Sequence, residues 1–453
     1  MKEWFKMFKR KIYNEIKKWK EESNGRTALL IEGARRVGKS TIVESFAKNE
    51  YATYILIDFS VVGSDIKILF DDMSNLNYFF TSLQLYFRVE LKERNSVIIF
   101  DEVQLCPKAR QAIKSLVKDG RYDYIETGSL ISIKKNVKDI LIPSEEQKIQ
   151  MNPMDYEEFL WALGDFSTMN LLRTVFESRK RLGDDLNRKM MQQFRLYMLV
   201  GGMPQAVYEY IQTNNFKKVD EVKRNIISLY EDDFRKIDST GRLAMIFEAI
   251  PSQLNKKAKG FQTKKVIKSY KVKEDVILSL ISELKDSKVV NIAYHCNNPD
   301  VGLSASKDLD LYKLYMADTG LFVTMQFKDK DFTDNIIYEK LLSDKLSANL
   351  GYLYENAVAQ AIVSSGNQLF YYTFTNDKIK KNYEIDFILS KKNKICPIEV
   401  KSSNYRKHIS IDKFYEKFSN RILKRYIIHT KDISKDKDIQ CIPIYLSSLV
   451  CEE

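Results

Sequence analysis

Residues 27–41 read TALLIEGARRVGKST. The apolar run Ala28–Ile31 feeds Gly33-Ala34-Arg35-Arg36-Val37-Gly38-Lys39-Ser40, which has the spacing G-x-x-x-x-G-K-[ST]. The spacing has a chemical reason. Gly33 and Gly38 permit backbone angles that a side chain would block, so successive N–H groups can turn inward around a phosphate. Lys39 reaches the β- and γ-phosphates, and the Ser40 hydroxyl is placed to ligate Mg²⁺. Thr41 to Lys48 then has helical spacing, and its N-terminus adds a partial positive charge to the anion site. Residues 33–41 are therefore expected to cradle ATP. A chance glycine turn would not require a strand pattern before it and a helix pattern after it.

Working outward, TYILIDFS (53–60) reads as a second strand and SVIIFDEVQ (96–104) as a third. A continuous apolar run is the mark of a buried parallel strand, whose C-terminal end delivers side chains to the ligand crevice. Asp101 is expected to hold the Mg²⁺ water shell and Glu102 to polarise the water that attacks the γ-phosphate. A helix over 108–118 precedes YDYIETGSL (122–130). That strand ends where a γ-phosphate sensor would sit, with Thr127 the first choice and Ser129 the second; an ordinary strand-end turn reads equally well. EQKIQMNP (146–153) completes the expected α/β fold, a five-stranded parallel sheet with helices on both faces. Residues 1–153 form the first expected domain.

The chain has 453 residues, enough for two to four domains, with 44% hydrophobic and 12% aromatic content. That excludes a disordered polymer. A net charge of +12 favours a polyanionic partner. Five scattered cysteines without a C-x-x-C pair, and three histidines far from such pairs, argue against a disulfide framework or a zinc knuckle. They fit a reducing, cytoplasmic setting. No run is long and apolar enough to span a bilayer. The N-terminal MKEWFKMFKRKIYNEIKKWKEE places Phe5, Phe8, Ile12, Ile16 and Trp19 at helical spacing, a stripe suited to packing on the following domain or to a membrane surface.

Residues 154–240 are dense in helical patterns broken at Leu199-Val200-Gly201-Gly202-Met203-Pro204, and read as a helical lid over the nucleotide. Residues 241–330 carry helical stretches followed by VVNIAYHC and LYKLYMADT around a polar hairpin, a winged-helix-like order. Lys256, Lys257, Lys259, Lys264, Lys265 and Lys268 suit phosphate contacts there. The fold serves protein packing as readily.

Residues 331–453 hold a second chemical pattern. GYLYENAVAQAI reads as a helix with Glu355, YEIDFILS as a strand with Asp386 near its start, and CPIEVKSS as a strand with Glu399 and Lys401 on one face. An acid on one strand and E-x-K on the next is the PD-(D/E)xK metal nuclease pattern. Asp386 and Glu399 would converge on Mg²⁺, Glu355 would complete the ligand set, and Lys401 would orient or deprotonate the attacking water. The proline of the formal pattern is replaced by Ile385. Lys378, Lys380, Lys381, Lys391, Lys392, Lys394 and Lys407 flank the site and suit a nucleic-acid backbone.

GARRVGKST, IIFDEVQ, TGSL, MNPMDYEEFLWA and LVGGMPQAV occur in this order. Together they resemble a prokaryotic group of AAA-type P-loop ATPases with a C-terminal, restriction-endonuclease-like domain of originally unknown function. The resemblance spans nearly the whole chain. It implies an ATPase core, a helical and winged-helix middle, and a nuclease-like end. AAA-type ATPases take an arginine finger from a neighbouring subunit or domain. Between Gly128 and Met151 this chain has lysines and no arginine; Arg173, Arg195, Arg224 and Arg235 lie further on. The expected partners are ATP with Mg²⁺ and a nucleic acid, DNA ahead of RNA. A protein partner of an ATP-gated switch is the alternative, and an oligomer is compatible with either.

Overall fold

The computed structural model describes residues 8–128, 143–256, 259–268, 272–328, 335–343, 351–376, 381–403 and 405–453. Phe5, Ser129, Lys257, Lys378 and Lys380, named above, lie outside them. The chain forms two compact units: residues 1–152 with 286–288, and residues 153–285 with 289–453.

The first unit is built on a parallel sheet. Its strands are β1 (Ala28–Glu32), β2 (Thr53–Asp58), β3 (Ser96–Asp101), β4 (Asp123–Gly128) and β5 (Glu146–Gln150), in the order β2-β3-β4-β1-β5. Every residue of β3 is buried, as its largely apolar run requires, and every residue of β4 is buried too, including Asp123, Glu126 and Thr127. One core on this sheet gathers Phe59, Phe70, Phe79, Phe80 and Phe100 in edge-to-face and tilted contacts. The N-terminal helix Ile12–Ser23 buries Ile12, Ile16 and Trp19, and Tyr13 meets Phe46 of the helix Lys39–Glu50 at 5.2 Å. Its apolar stripe is therefore spent on the domain that follows. No helix among the described residues is long and apolar enough to cross a membrane.

In the second unit, residues 154–240 are helical: Tyr156–Ala162, Thr168–Ser178, Asp184–Val200, Pro204–Thr213 and Phe216–Ile237. A capping box between Asp155 and Glu158 starts the first of them. The break at Gly201-Gly202 is forced by packing. A Cβ on Gly202 would stand 2.1 Å from the Met154 carbonyl oxygen, and Gly201, at φ +85°, faces the backbone of Gly320. Asp318 fastens the break by accepting the N–H of Gly202.

The strand pair expected as a wing belongs to something larger. Strands β6 (Val290–Cys296) and β7 (Lys307–Met316) pair antiparallel, but β6 also pairs parallel with β8 (Phe370–Asn376), and β8 pairs antiparallel with β9 (Lys381–Ile385). The result is one four-stranded sheet, β7-β6-β8-β9, that runs across the expected boundary at 330. A two-stranded ribbon is marginal alone, and pairing to β8 satisfies the edge of β6.

A second five-stranded sheet orders β10 (Phe387–Lys391), β11 (Lys394–Lys401), β12 (Arg425–His429), β13 (Ser434–Asp436) and β14 (Ile439–Pro443) as β10-β11-β12-β14-β13. YEIDFILS, expected as a single strand, is broken at Asp386. Residues before it pair in one sheet and residues after it in the other. The Asp386 carboxylate accepts the N–H of Val400 at 2.7 Å, so the side chain stands in for a ladder bond where the strand changes sheets.

Candidate functional site

Parallel pairing puts the C-terminal ends of β1, β3 and β4 on one edge. Ile31 is level with Thr127 and Glu32 with Gly128. The loop that leaves β1 passes close under the main chain, since a Cβ on Gly33 would lie 2.4 Å from the Met151 carbonyl oxygen. Arg36 and Gly38 take positive φ, +70° and +98°, and alternate with Val37 to curl the backbone. Arg35 and Arg36 are exposed while Ala34 and Val37 are buried, so the loop faces solvent on one side only. Gly38 precedes the helix Lys39–Glu50 without a side-chain cap, which leaves the first N–H groups, including those of Ser40 and Thr41, for an anion.

Lys39 is 7% exposed, and its ammonium donates to the carbonyls of Gly33 and Ala34 at 3.0 and 2.9 Å. Burial pulls its pKa down to about 8, against the pull of Glu102 and Asp101. Ser40 donates to Asp101 Oδ1 at 2.9 Å, and Thr127 donates to the same oxygen. One carboxylate oxygen thus gathers two hydroxyls from two other elements. Hard oxygen donors grouped in this way fit Mg²⁺. Glu102 follows at φ +53°, a left-handed conformation for a residue with a side chain, and its carboxylate accepts from the Gln104 amide.

Sequence reading missed Arg10. Its guanidinium is buried and donates to the carbonyls of Val37, inside the loop, and Asn152, at 3.1 and 2.6 Å. An arginine flanking an amphipathic helix carries no signal by itself, because its target is set by tertiary packing.

The second unit holds a cavity of about 550 Å³. Glu355, Asp386, Glu399 and Lys401 all line it. Among the described residues, Glu355, Glu384 and Asp386 bring carboxylate oxygens within 4.8 Å of one another. Glu384 thus joins the two expected acids, while Glu399 stands in the same cavity beside Lys401. Lys401 Nζ is 3.3 Å from Glu399 Oε2, a charge pair without an aligned hydrogen bond, so that buried oxygen keeps acceptor capacity. Burial, then the neighbouring Glu355 and Glu384, push the Asp386 carboxyl well above the usual range. Burial also raises Glu399, against the pull of Lys401. A set of carboxylates gathered around one cavity fits a hard divalent cation.

Lys313 on β7 enters the same group, 2.5 Å from Glu384 and 3.4 Å from Glu355. Burial alone would lower it, yet Glu355, then Glu384 and Asp386, hold it above the ordinary lysine range. A lysine inside the apolar run LYKLYM was the available signal for Lys313. For Glu384 it was an acid two residues before Asp386.

Of the basic residues expected near nucleic acid, Lys256, Lys259, Lys265, Lys268, Lys381, Lys392 and Lys407 are exposed, and Lys264, Lys391 and Lys394 partly so. The four downstream arginines are all engaged within their own unit. Arg173 pairs with Glu157, Arg224 with Asp220 and Arg235 with Asp232, and Arg195 donates to the Tyr354 hydroxyl.

Residues 25–160 match the family model described as an AAA domain. Residues 191–331 and 350–447 match two domains of unknown function, DUF8612 and DUF4143. No curated protein matches. Among solved structures, the Walker-type ATPase PABY2304 of Pyrococcus abyssi is 17% identical, with a TM-score of 0.43 over 71% of this chain and 96% of its own. Cdc6p from Pyrobaculum aerophilum is 10% identical, with a TM-score of 0.27 over 76% and 97%. A Drosophila ORC structure bound to DNA is 10% identical, with a TM-score of 0.26 over 70% and 85%.

Proposed function

We propose that this chain, an AAA-type P-loop ATPase through its residues 25–160, hydrolyses ATP with Mg²⁺ and couples turnover to metal-assisted action on nucleic acid, DNA ahead of RNA. The observation that carries the ATPase reading is the meeting of Ser40 and Thr127 on Asp101 beside a buried Lys39.

Each residue has a task. The N–H groups from Gly33 to Thr41 bind the phosphate oxygens, and Lys39 exchanges its two loop carbonyls for phosphate. Ser40 and Asp101 would hold Mg²⁺, which when bound offsets charge on the β- and γ-phosphates. Glu102 accepts a hydrogen bond from the water whose oxygen attacks the γ-phosphorus as the bond to the β–γ bridging oxygen breaks. ADP leaves with the electron pair, and the water's proton passes to the released phosphate or to bulk water. Thr127 reads whether a γ-phosphate is present.

The C-terminal cavity supports a metal-assisted phosphodiester reading. Its acids would hold the cation, and Lys401 would orient a water. Lys259 on the cavity lining and the other exposed lysines of the second unit suit a phosphate backbone. The test is nicking of supercoiled DNA with Mg²⁺ or Mn²⁺. The proposal expects nicking that Asp386→Ala abolishes while the circular dichroism spectrum stays unchanged. Nicking that persists in Asp386→Ala removes the nuclease part.

The second reading, an ATP-gated switch that binds a protein partner, is favoured by one observation. The four candidate arginines are all engaged within their own unit, which fits slow turnover by the isolated chain. It predicts tight ATP binding, negligible turnover and nucleic-acid binding indifferent to salt, where the first reading predicts a steep loss.

A further inference from the structure

Lys313 brings to the acid cavity a positive charge that the chain supplies itself. The side chain is 9% exposed, and its ammonium stands 5.2 Å over the ring of Tyr371. Its contacts with Glu384 at 2.5 Å and Glu355 at 3.4 Å fall on two of the three acids that cluster within 4.8 Å. Tyr315, two residues along β7 and so on the same face, donates its hydroxyl to Glu355. Buried charges are kept by pairing or by metal coordination, and here the same two carboxylates belong to the lysine's pairing and to the acid cluster.

We propose that Lys313 is the resident counter-ion of this cavity. Its ammonium bridges Glu355 and Glu384 in the metal-free protein and competes with a divalent cation for those oxygens. The inference rests on the metal-binding reading of the cavity given above. Loading the site then requires the lysine to give up its place at Glu384. The charge balance fits one divalent ion. Once Lys313 has given way, Glu355, Glu384, Asp386 and Glu399, when ionised, exceed the two other lysines that line the cavity, Lys259 and Lys401, by two charges. Lys313 is a positioning residue in this account, distinct from Lys401, which is paired with Glu399.

The experiment is calorimetric titration of the full chain with Mn²⁺ and no nucleotide, counting only the heat that Asp386→Asn removes. Lys313→Met should bind Mn²⁺ at least about tenfold more tightly than the wild type, because a competing charge is gone. Lys313→Arg should not tighten it. Equal or weaker binding by Lys313→Met overturns the inference while leaving the metal reading in place. If neither protein binds Mn²⁺ through Asp386, both fail.

Should Lys313→Met not fold, the wild type still decides. In lysine-¹⁵N-labelled protein, the Nζ signal that disappears in Lys313→Arg should shift when Mg²⁺ is added, and should not shift in Asp386→Asn. A Lys313 signal unmoved by saturating Mg²⁺ overturns the inference.

Discussion

The phosphate loop and the C-terminal acid cavity are built in opposite ways. The loop is a stretch of consecutive residues that presents backbone N–H groups, completed by side chains at the tips of two neighbouring strands. The cavity is assembled from side chains on β7, the helix Gly351–Ser364, the junction of β9 and β10, and β11. One site depends on local backbone conformation and the other on long-range pairing. The difference sets what each is sensitive to.

The largest expected effect falls on the loop. Glu102→Gln should keep nucleotide binding but lower ATP turnover by about 10² or more, the cost of losing the carboxylate that polarises the attacking water. It should leave metal binding at Asp386 unchanged. A Glu102→Gln protein that also loses Mn²⁺ binding in the cavity would break the separation of the two sites.

A smaller effect distinguishes the two by pH. Lys39 has its pKa lowered to about 8, and bound phosphate favours its charged form. Below that value the charge is present; as pH rises through it, nucleotide affinity should fall by up to about tenfold per unit. Asp386 has its carboxyl raised, so a cation must displace a proton, and metal affinity should rise with pH instead. Affinity for a fluorescent ATP analogue should therefore fall as pH rises from about 7 to about 9, whereas Mn²⁺ affinity should rise with pH over the range in which Asp386 loses its proton. Parallel slopes would contradict the assignment of Lys39 or of Asp386.

The same contrast explains what could be read from the sequence. Gly33, Gly38, Lys39 and Ser40 announce themselves because a phosphate loop is contiguous. Asp101 and Thr127 follow because parallel strands carry their ligands at one end. Glu355, Asp386, Glu399 and Lys401 were legible as a pattern, and they do line one cavity. Lys313 and Glu384 left only local signals that did not bring them together. Their meeting depends on β6 pairing with β7 on one side and β8 on the other, which no local spacing encodes. The same pairing turned an expected wing into half of a four-stranded sheet. Asp386 was expected within a strand. It sits where the chain passes between sheets, a break invisible in the alternation of YEIDFILS.

The central claim is that the loop drives turnover and that nucleic acid is what turnover serves. Phosphate release from Mg-ATP, measured with and without DNA for the wild type and Lys39→Ala, tests it most directly. The account predicts wild-type turnover that DNA stimulates and that Lys39→Ala abolishes. Equal release by the two proteins, with DNA present or absent, would contradict it.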